Sequence, residues 1–210
     1  MVGTSGTYSA ISSYSRVEIL HLVQRAPQRT IAELAAATGL HANTVREHLD
    51  RLVEAGHVVR ETERRTTRGR PRVLFSAATG EADTSSSVLR RKAREAAERG
   101  DLMRRVMPWT SMASGAPATE LGTEAVHQID AIVDHLAESG FDPLVDETAL
   151  TIDLSPCPHA SAQSGHRDTL CTVHLAIMEG VLSGARGPLH VDGMHPSCDP
   201  AQCVVQLTSS

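Results

Sequence analysis

The run TIAELAAATGLHANTVREHLDRLVEAGHVVRETERRTTRGRPRVLFS, Thr30 to Ser76, is punctuated at regular offsets. Thr30-Ile31-Ala32-Glu33 sets a hydroxyl three residues before a carboxylate. This is the spacing of a capping box, and it opens a short helix through Ala37. Gly39 supplies the stop. A second helix is predicted over about 42–55, with Val45, Leu49, Leu52 and Val53 on one face and Gly56 at its end. Two short helices joined by a glycine turn make a helix-turn-helix. The opposite face carries Asn43, Thr44, Arg46, Glu47 and Arg51, most of them in the N-terminal half of the helix, where base edges are read. His57 to Glu61 and Arg72 to Ser76 then read as two strands around a turn holding Arg64, Arg65, Arg68 and Arg70. That is a β-hairpin with a basic tip, a wing, and Gly69 lets the tip approach a phosphate or enter a minor groove. The residues expected to contact a DNA duplex are Thr30, His41, Asn43, Thr44, Arg46, Glu47 and Arg51 from the helices, with Arg65, Arg68 and Arg70 from the wing.

Upstream, Ser15-Arg16-Val17-Glu18 reads as another capping box before Ile19, Leu20, Leu22 and Val23, and Pro27 closes that helix. Gly69-Arg70-Pro71, following a helix that ends in Glu54-Ala55-Gly56, resembles the winged-helix modules of ArsR-, MarR- and SufR-like bacterial repressors. The charge distribution agrees. Residues 1–80 hold eleven Arg against seven acids, while residues 81–210 hold nine Lys and Arg against eighteen acids. A basic head on an acidic body suits a protein that meets phosphates at one end. No apolar run reaches the length of a membrane span, and Met1 to Tyr14 lacks the basic and apolar regions of a signal peptide. The expected location is cytoplasmic.

The expected class is α+β: a winged helix-turn-helix, a connecting helix and a small C-terminal α/β sensor domain. Residues 1–14 read as a flexible N-terminus, 15–78 as the DNA-binding domain, 79–117 as a connecting helix and linker, and 118–210 as the sensor. Val88 to Val106 is helical and charged, and serves as a dimerisation helix or a solvated one. Pro108 to Ala118 is a break, and a helix then runs from Leu121 towards Gly140. A strand follows at Leu150–Leu154, a helix at about Asp168–Ser183 ended by Gly184, and short strands at Leu189–Val191 and Val204–Leu207.

All four cysteines, Cys157, Cys171, Cys198 and Cys203, lie in the last quarter of the chain. In a cytosolic protein such a set points to metal or redox chemistry rather than disulfides. Their spacing offers one near pair, Cys198 and Cys203, whereas structural zinc favours paired knuckles. Dispersed thiols, two of them near prolines, suit an iron–sulfur cluster at least as well. Cys171 is read as the start of a helix, with His174 one turn on. The candidate ligands are Cys157, Cys171, His174, Cys198 and Cys203. A zinc-responsive repressor and a metal-free thiol switch between Cys198 and Cys203 are the alternatives. No known catalytic spacing or glycine-rich phosphate loop appears, so an enzyme is not expected.

Five features occur in order: the winged helix, Glu138-Ser139-Gly140-Phe141, Cys157-Pro158, Cys171 to His174 continuing to Glu179-Gly180, and Cys203-Val204-Val205. Together they resemble the SufR-like group of ArsR-type regulators over roughly residues 15–207. That resemblance implies a homodimeric repressor on a palindromic operator, carrying a 4Fe–4S or 2Fe–2S cluster. It also implies Cys157, Cys171 and Cys203 as ligands, with Cys198 or His174 as the fourth. His159 departs from the pattern, which commonly has an aromatic residue there, and Cys198 is an additional thiol.

Overall fold

The apolar repeat of α3 (Ala42–Ala55) seals Val45, Leu49 and Leu52 completely, and this face holds the N-terminal part together. The structure, a computed structural model, describes residues 13–63, 71–79, 86–107, 121–157, 164–196 and 202–210. Against α3 pack α1 (Tyr14–Arg25) and α2 (Ile31–Thr38). The capping box of α2 forms as expected: Thr30 Oγ1 accepts from Glu33 N at 3.3 Å, and Thr30 N donates to Glu33 Oε2 at 2.8 Å. The one expected at Ser15–Glu18 does not. The helix starts two residues earlier, with Ser13 in place of Ser15 as the N-cap, because Ser13 O already accepts from Arg16 N and Val17 N at 3.0 and 3.1 Å. Strands β1 (Val58–Thr62) and β2 (Val73–Ala77) pair antiparallel from Val58↔Ala77 to Thr62↔Val73, which is the expected hairpin. The sequence reading missed a third strand position, Arg29, which exchanges backbone bonds with Phe75 at 2.9 and 2.8 Å.

Gly56 ends α3 at φ 88°, and its Cα faces Ser86 and Val88 at the start of α4 (Ser87–Val106). Helix α4 packs on α5 (Thr123–Glu138) and on α6 (Ser164–Ala185). Strands β3 (Leu144–Asp146), β4 (Thr151–Asp153), β5 (Leu189–Pro196) and β6 (Cys203–Ser209) form one antiparallel sheet in the order β3-β4-β6-β5. Helices and antiparallel strands together give the expected α+β architecture. On β6, Cys203, Val205 and Leu207 are buried and alternate with half-buried Val204 and Gln206.

One continuous hydrophobic core runs from α1 to β6, so the two halves are not separately packed. Helix α6 is the shared element. It lies against α1, where Gln24 Nε2 donates to Val173 O at 3.4 Å. It also comes so near the exit of β2 that a Cβ on Gly180 would stand 2.7 Å from Ala78 O. Gln128, fully buried, pins the turn after α6: it donates to Leu182 O and Leu189 O and accepts from Leu189 N. Leaving those groups unpaired costs about 1–3 kcal/mol each, which explains a polar side chain at the centre of an apolar layer. Among the described residues, no helix is long and apolar enough to cross a membrane.

Candidate DNA interface and cysteine site

Helix α3 presents its N-terminus outward. His41 is its N-cap, and Nδ1 accepts from Asn43 N at 3.3 Å while the ring stays exposed. Asn43 Oδ1 in turn accepts from Arg46 Nη1 at 2.8 Å, so two exposed side chains stand joined at the first turn. Glu47 and Arg51 are exposed beside them and Thr44 is half-buried. Thr30, also expected here, uses its hydroxyl in the α2 cap. The helix dipole adds partial positive charge at this end. Behind it lies Arg16 of α1, 5% exposed, which sequence reasoning had not marked because it sits inside an apolar helix pattern. Burial and then Arg51 lower its pKa. Burial, then Arg16 and Arg51, lower that of His48. At the base of the wing Arg72 pairs with Glu63 at 3.3 Å, and the backbone bond Glu63 N to Arg72 O continues the ladder. The wing residues Arg65, Arg68 and Arg70 lie outside the described residues.

The cysteine site is assembled at one end of the C-terminal sheet. The chain leaving β4 runs beside the first residue of β6: Leu154 N donates to Cys203 O at 2.8 Å, and Cys203 N donates to Ser155 Oγ at 3.1 Å. Cys157 follows two residues later, half-buried. Cys171 is supplied by α6, also half-buried. It does not begin that helix as expected; α6 starts at Ser164, so Cys171 stands well inside it. Burial pushes the Cys203 thiol up to about 12, and negative charge on Cys157, Cys171 and Asp153 adds to the effect. Burial also raises Cys171, followed by Cys157 and Asp168, with Arg167 opposing. Charge on Cys157 is therefore felt at Cys171, and charge on both is felt at Cys203, although the three come from separate segments. Among the described residues, no three His, Cys, Asp or Glu side chains close into a single-ion cage. A zinc ion would draw its sulfurs to about 3.8 Å apart, given Zn–S bonds near 2.3 Å. A multi-iron cluster spreads its thiolates more widely and takes anionic sulfur from separate segments, and the described donors number three thiols from three segments.

His174 shares α6 with Cys171 but is drawn elsewhere. Its ring stacks on Phe141 at 4.8 Å and lies 6.3 Å from His135. His135 in turn meets His57 edge-on at 5.6 Å. These histidines join the winged helix (His57) to α5 and α6 through the core. Burial, then Lys92, lowers His57 to about 4. Burial followed by His57, His174 and Lys92 holds His135 well below its usual value. His57 Nδ1 and His135 Nε2 are sealed from solvent and, among the described residues, have no hydrogen-bond partner. Nothing in the local sequence pattern marks this chain, because its members lie on three separate elements. Cys198, the other expected ligand, lies outside the described residues.

Residues 13–69 match the MarR family. The match covers α1 to β1 and ends before β2; it supplies a helix-turn-helix regulator's DNA-binding module and stops short of every cysteine. Comparison with curated proteins and with solved structures yields no match.

Proposed function

From a MarR-family winged helix-turn-helix at residues 13–69, we propose a transcriptional repressor whose DNA binding is set by an iron–sulfur cluster on Cys157, Cys171 and Cys203. The finer resemblance to SufR-like regulators is part of this proposal. The observation that carries it is the placing of three thiols at the end of β4, on α6 and at the start of β6, where Cys157 lies near enough to raise Cys171 and both lie near enough to raise Cys203. A thiolate trio repels itself, and a cationic centre relieves that repulsion. A bound cluster supplies sensitivity to iron and oxidant, being held or lost as they change. The fourth position falls to Cys198, since His174 is engaged with Phe141 and His135.

Helix α6 links the two halves. It carries Cys171, bonds Gln24 of α1 through Val173 O, and abuts Ala78 through Gly180. Tying Cys171 to β4 and β6 constrains α6, and releasing it lets α6 shift against α1. An effector works only through a difference in affinity between two such states. The repressor acts in the cytoplasm as a homodimer on a palindromic operator. Supporting the dimer, Leu102, Met103 and Val106 of α4 are 55%, 51% and 60% exposed, an apolar patch unusual for a solvated helix. Leu102→Asp with Val106→Asp is expected to yield monomers by light scattering.

The test is anaerobic purification followed by DNA binding. Brown protein with broad visible absorption and bound iron supports the reading; colourless protein with stoichiometric zinc overturns the cluster. Operator affinity of cluster-loaded against apo protein at fixed salt then decides the sensor role, and equal affinities would remove it.

A further inference from the structure

The basic residues of α4 are sorted between two neighbours. Lys92, Arg99 and Arg104 reach α5, meeting Glu138 at 2.7 Å, Asp134 at 2.8 Å and Asp130 at 2.7 Å. Arg91 and Arg94 turn instead towards the end of α6. With Arg90, Ser87 and Arg186 they line an open cavity of about 420 Å³. It continues into a second cavity of about 290 Å³, which shares Arg90 and Arg94 and ends at Asp101 and His127.

Four of the nine Lys and Arg in the acidic stretch 81–210 line this one groove. Among the described residues, the ion pairs of Arg91 and Arg94 are long contacts along their own helix: 3.8 Å to Glu95 and 3.9 Å to Glu98. Exposed pairs of that kind neutralise little. At the far end Asp101 is already held by Arg104 at 2.9 Å and by His127 at 3.2 Å, so among the described residues it is no counter-charge for Arg91 or Arg94. Arg186, just past α6, sits at φ 58° in the left-handed region. A non-glycine residue held there is strained, and such residues gather where ligands are gripped.

The groove lies away from the DNA-reading surface. Gly56, the C-cap of α3, faces Ser86 and Val88 at the start of α4, so the groove adjoins the C-terminal end of α3. Asn43 lies at the other end of that helix, about 20 Å away at 1.5 Å per residue. We propose that this groove binds a phosphate-bearing small molecule of nucleotide size. Guanidinium forks match phosphate oxygens in pairs, and several of them suit a di- or triphosphate better than a single carboxylate. Cavities of this size accept such a ligand.

The experiment is calorimetric titration of the full chain with inorganic pyrophosphate and, separately, with ATP, both without magnesium. Saturable binding of at least one probe is expected. Arg94→Glu with Arg186→Glu should weaken it at least about tenfold, while affinity for a random-sequence DNA duplex changes by less than about threefold. The proposal is overturned by no saturable binding up to about 10 mM of either probe, or by equal binding in wild type and variant. A variant that loses duplex affinity as steeply as probe affinity also overturns it, since the groove would then belong to the DNA surface. If circular dichroism shows the reversed-charge chain misfolded, Arg94→Gln with Arg186→Gln replaces it under the same criteria.

Discussion

At the start of α3, Asn43, Arg46 and Glu47 are exposed and fall within five consecutive residues. At the end of the C-terminal sheet, Cys157, Cys171 and Cys203 come from a loop, a helix and a strand, and are half to fully buried. The first site is written locally, because one helical repeat orients it and water solvates it. The second exists only when β4, β6 and α6 are in place, since Cys203 is raised by thiols from the other two segments. A local site survives changes elsewhere in the chain. An assembled one depends on every segment that builds it.

The sharpest break of that comparison is Cys171→Ser. It is expected to abolish essentially all bound iron and visible absorption after anaerobic reconstitution, while the chain still folds and binds DNA. Iron retained at the wild-type level would mean that the three thiols are not one site.

The histidines between the two regions come next. His57 takes up its proton near the ordinary 6.5 when unfolded but only near 4 when folded. The unfolded chain therefore binds more protons between these values, and stability is fully present above about pH 6.5 and lost as pH falls towards 4. The loss from His57 alone is about 3 kcal/mol at the low end, and His135 adds in the same direction. Urea denaturation at neutral and mildly acidic pH measures it, and His57→Leu should flatten the dependence. An unchanged slope would show that His57 does not report on the junction.

Arg46→Ala tests the exposed site by itself. Specific operator affinity should fall by about 2 kcal/mol, roughly thirtyfold, with stability unchanged. An equal loss on random duplex would make Arg46 a phosphate contact instead of a base reader. The smallest effect is expected from Gly180→Ala. Helix propensity favours alanine by about 1 kcal/mol. The new Cβ, however, meets Ala78 O at 2.7 Å, and overpacking costs about 1–3 kcal/mol, so the net change is destabilising by about 1 kcal/mol. Chemical denaturation reads the sign. A stabilised variant would mean that α6 gives way freely at its contact with the winged helix.

The three N-terminal helices, the hairpin and the Thr30–Glu33 cap were legible in the sequence because each rests on contacts a few residues apart. The last strand was legible as a short span at Val204–Leu207, but its pairing with β4 and β5 was not. Three features were not: the buried Arg16 behind the recognition helix, the bridge from Arg29 to Phe75, and the chain of His57, His135 and His174. Each joins residues on different elements, so no period or spacing marks it.

What followed from the order of residues alone is the winged helix, its exposed Asn43–Arg46 edge and the gathering of cysteines near the C-terminus. Those features depend on helix periodicity, capping and composition, which are properties of neighbours in the chain. Which cysteines meet, that His174 turns away from them, and that four arginines share one groove were settled by packing. Burial and charge at those places are set by distant segments brought together in one core, and that juxtaposition has no counterpart in local sequence.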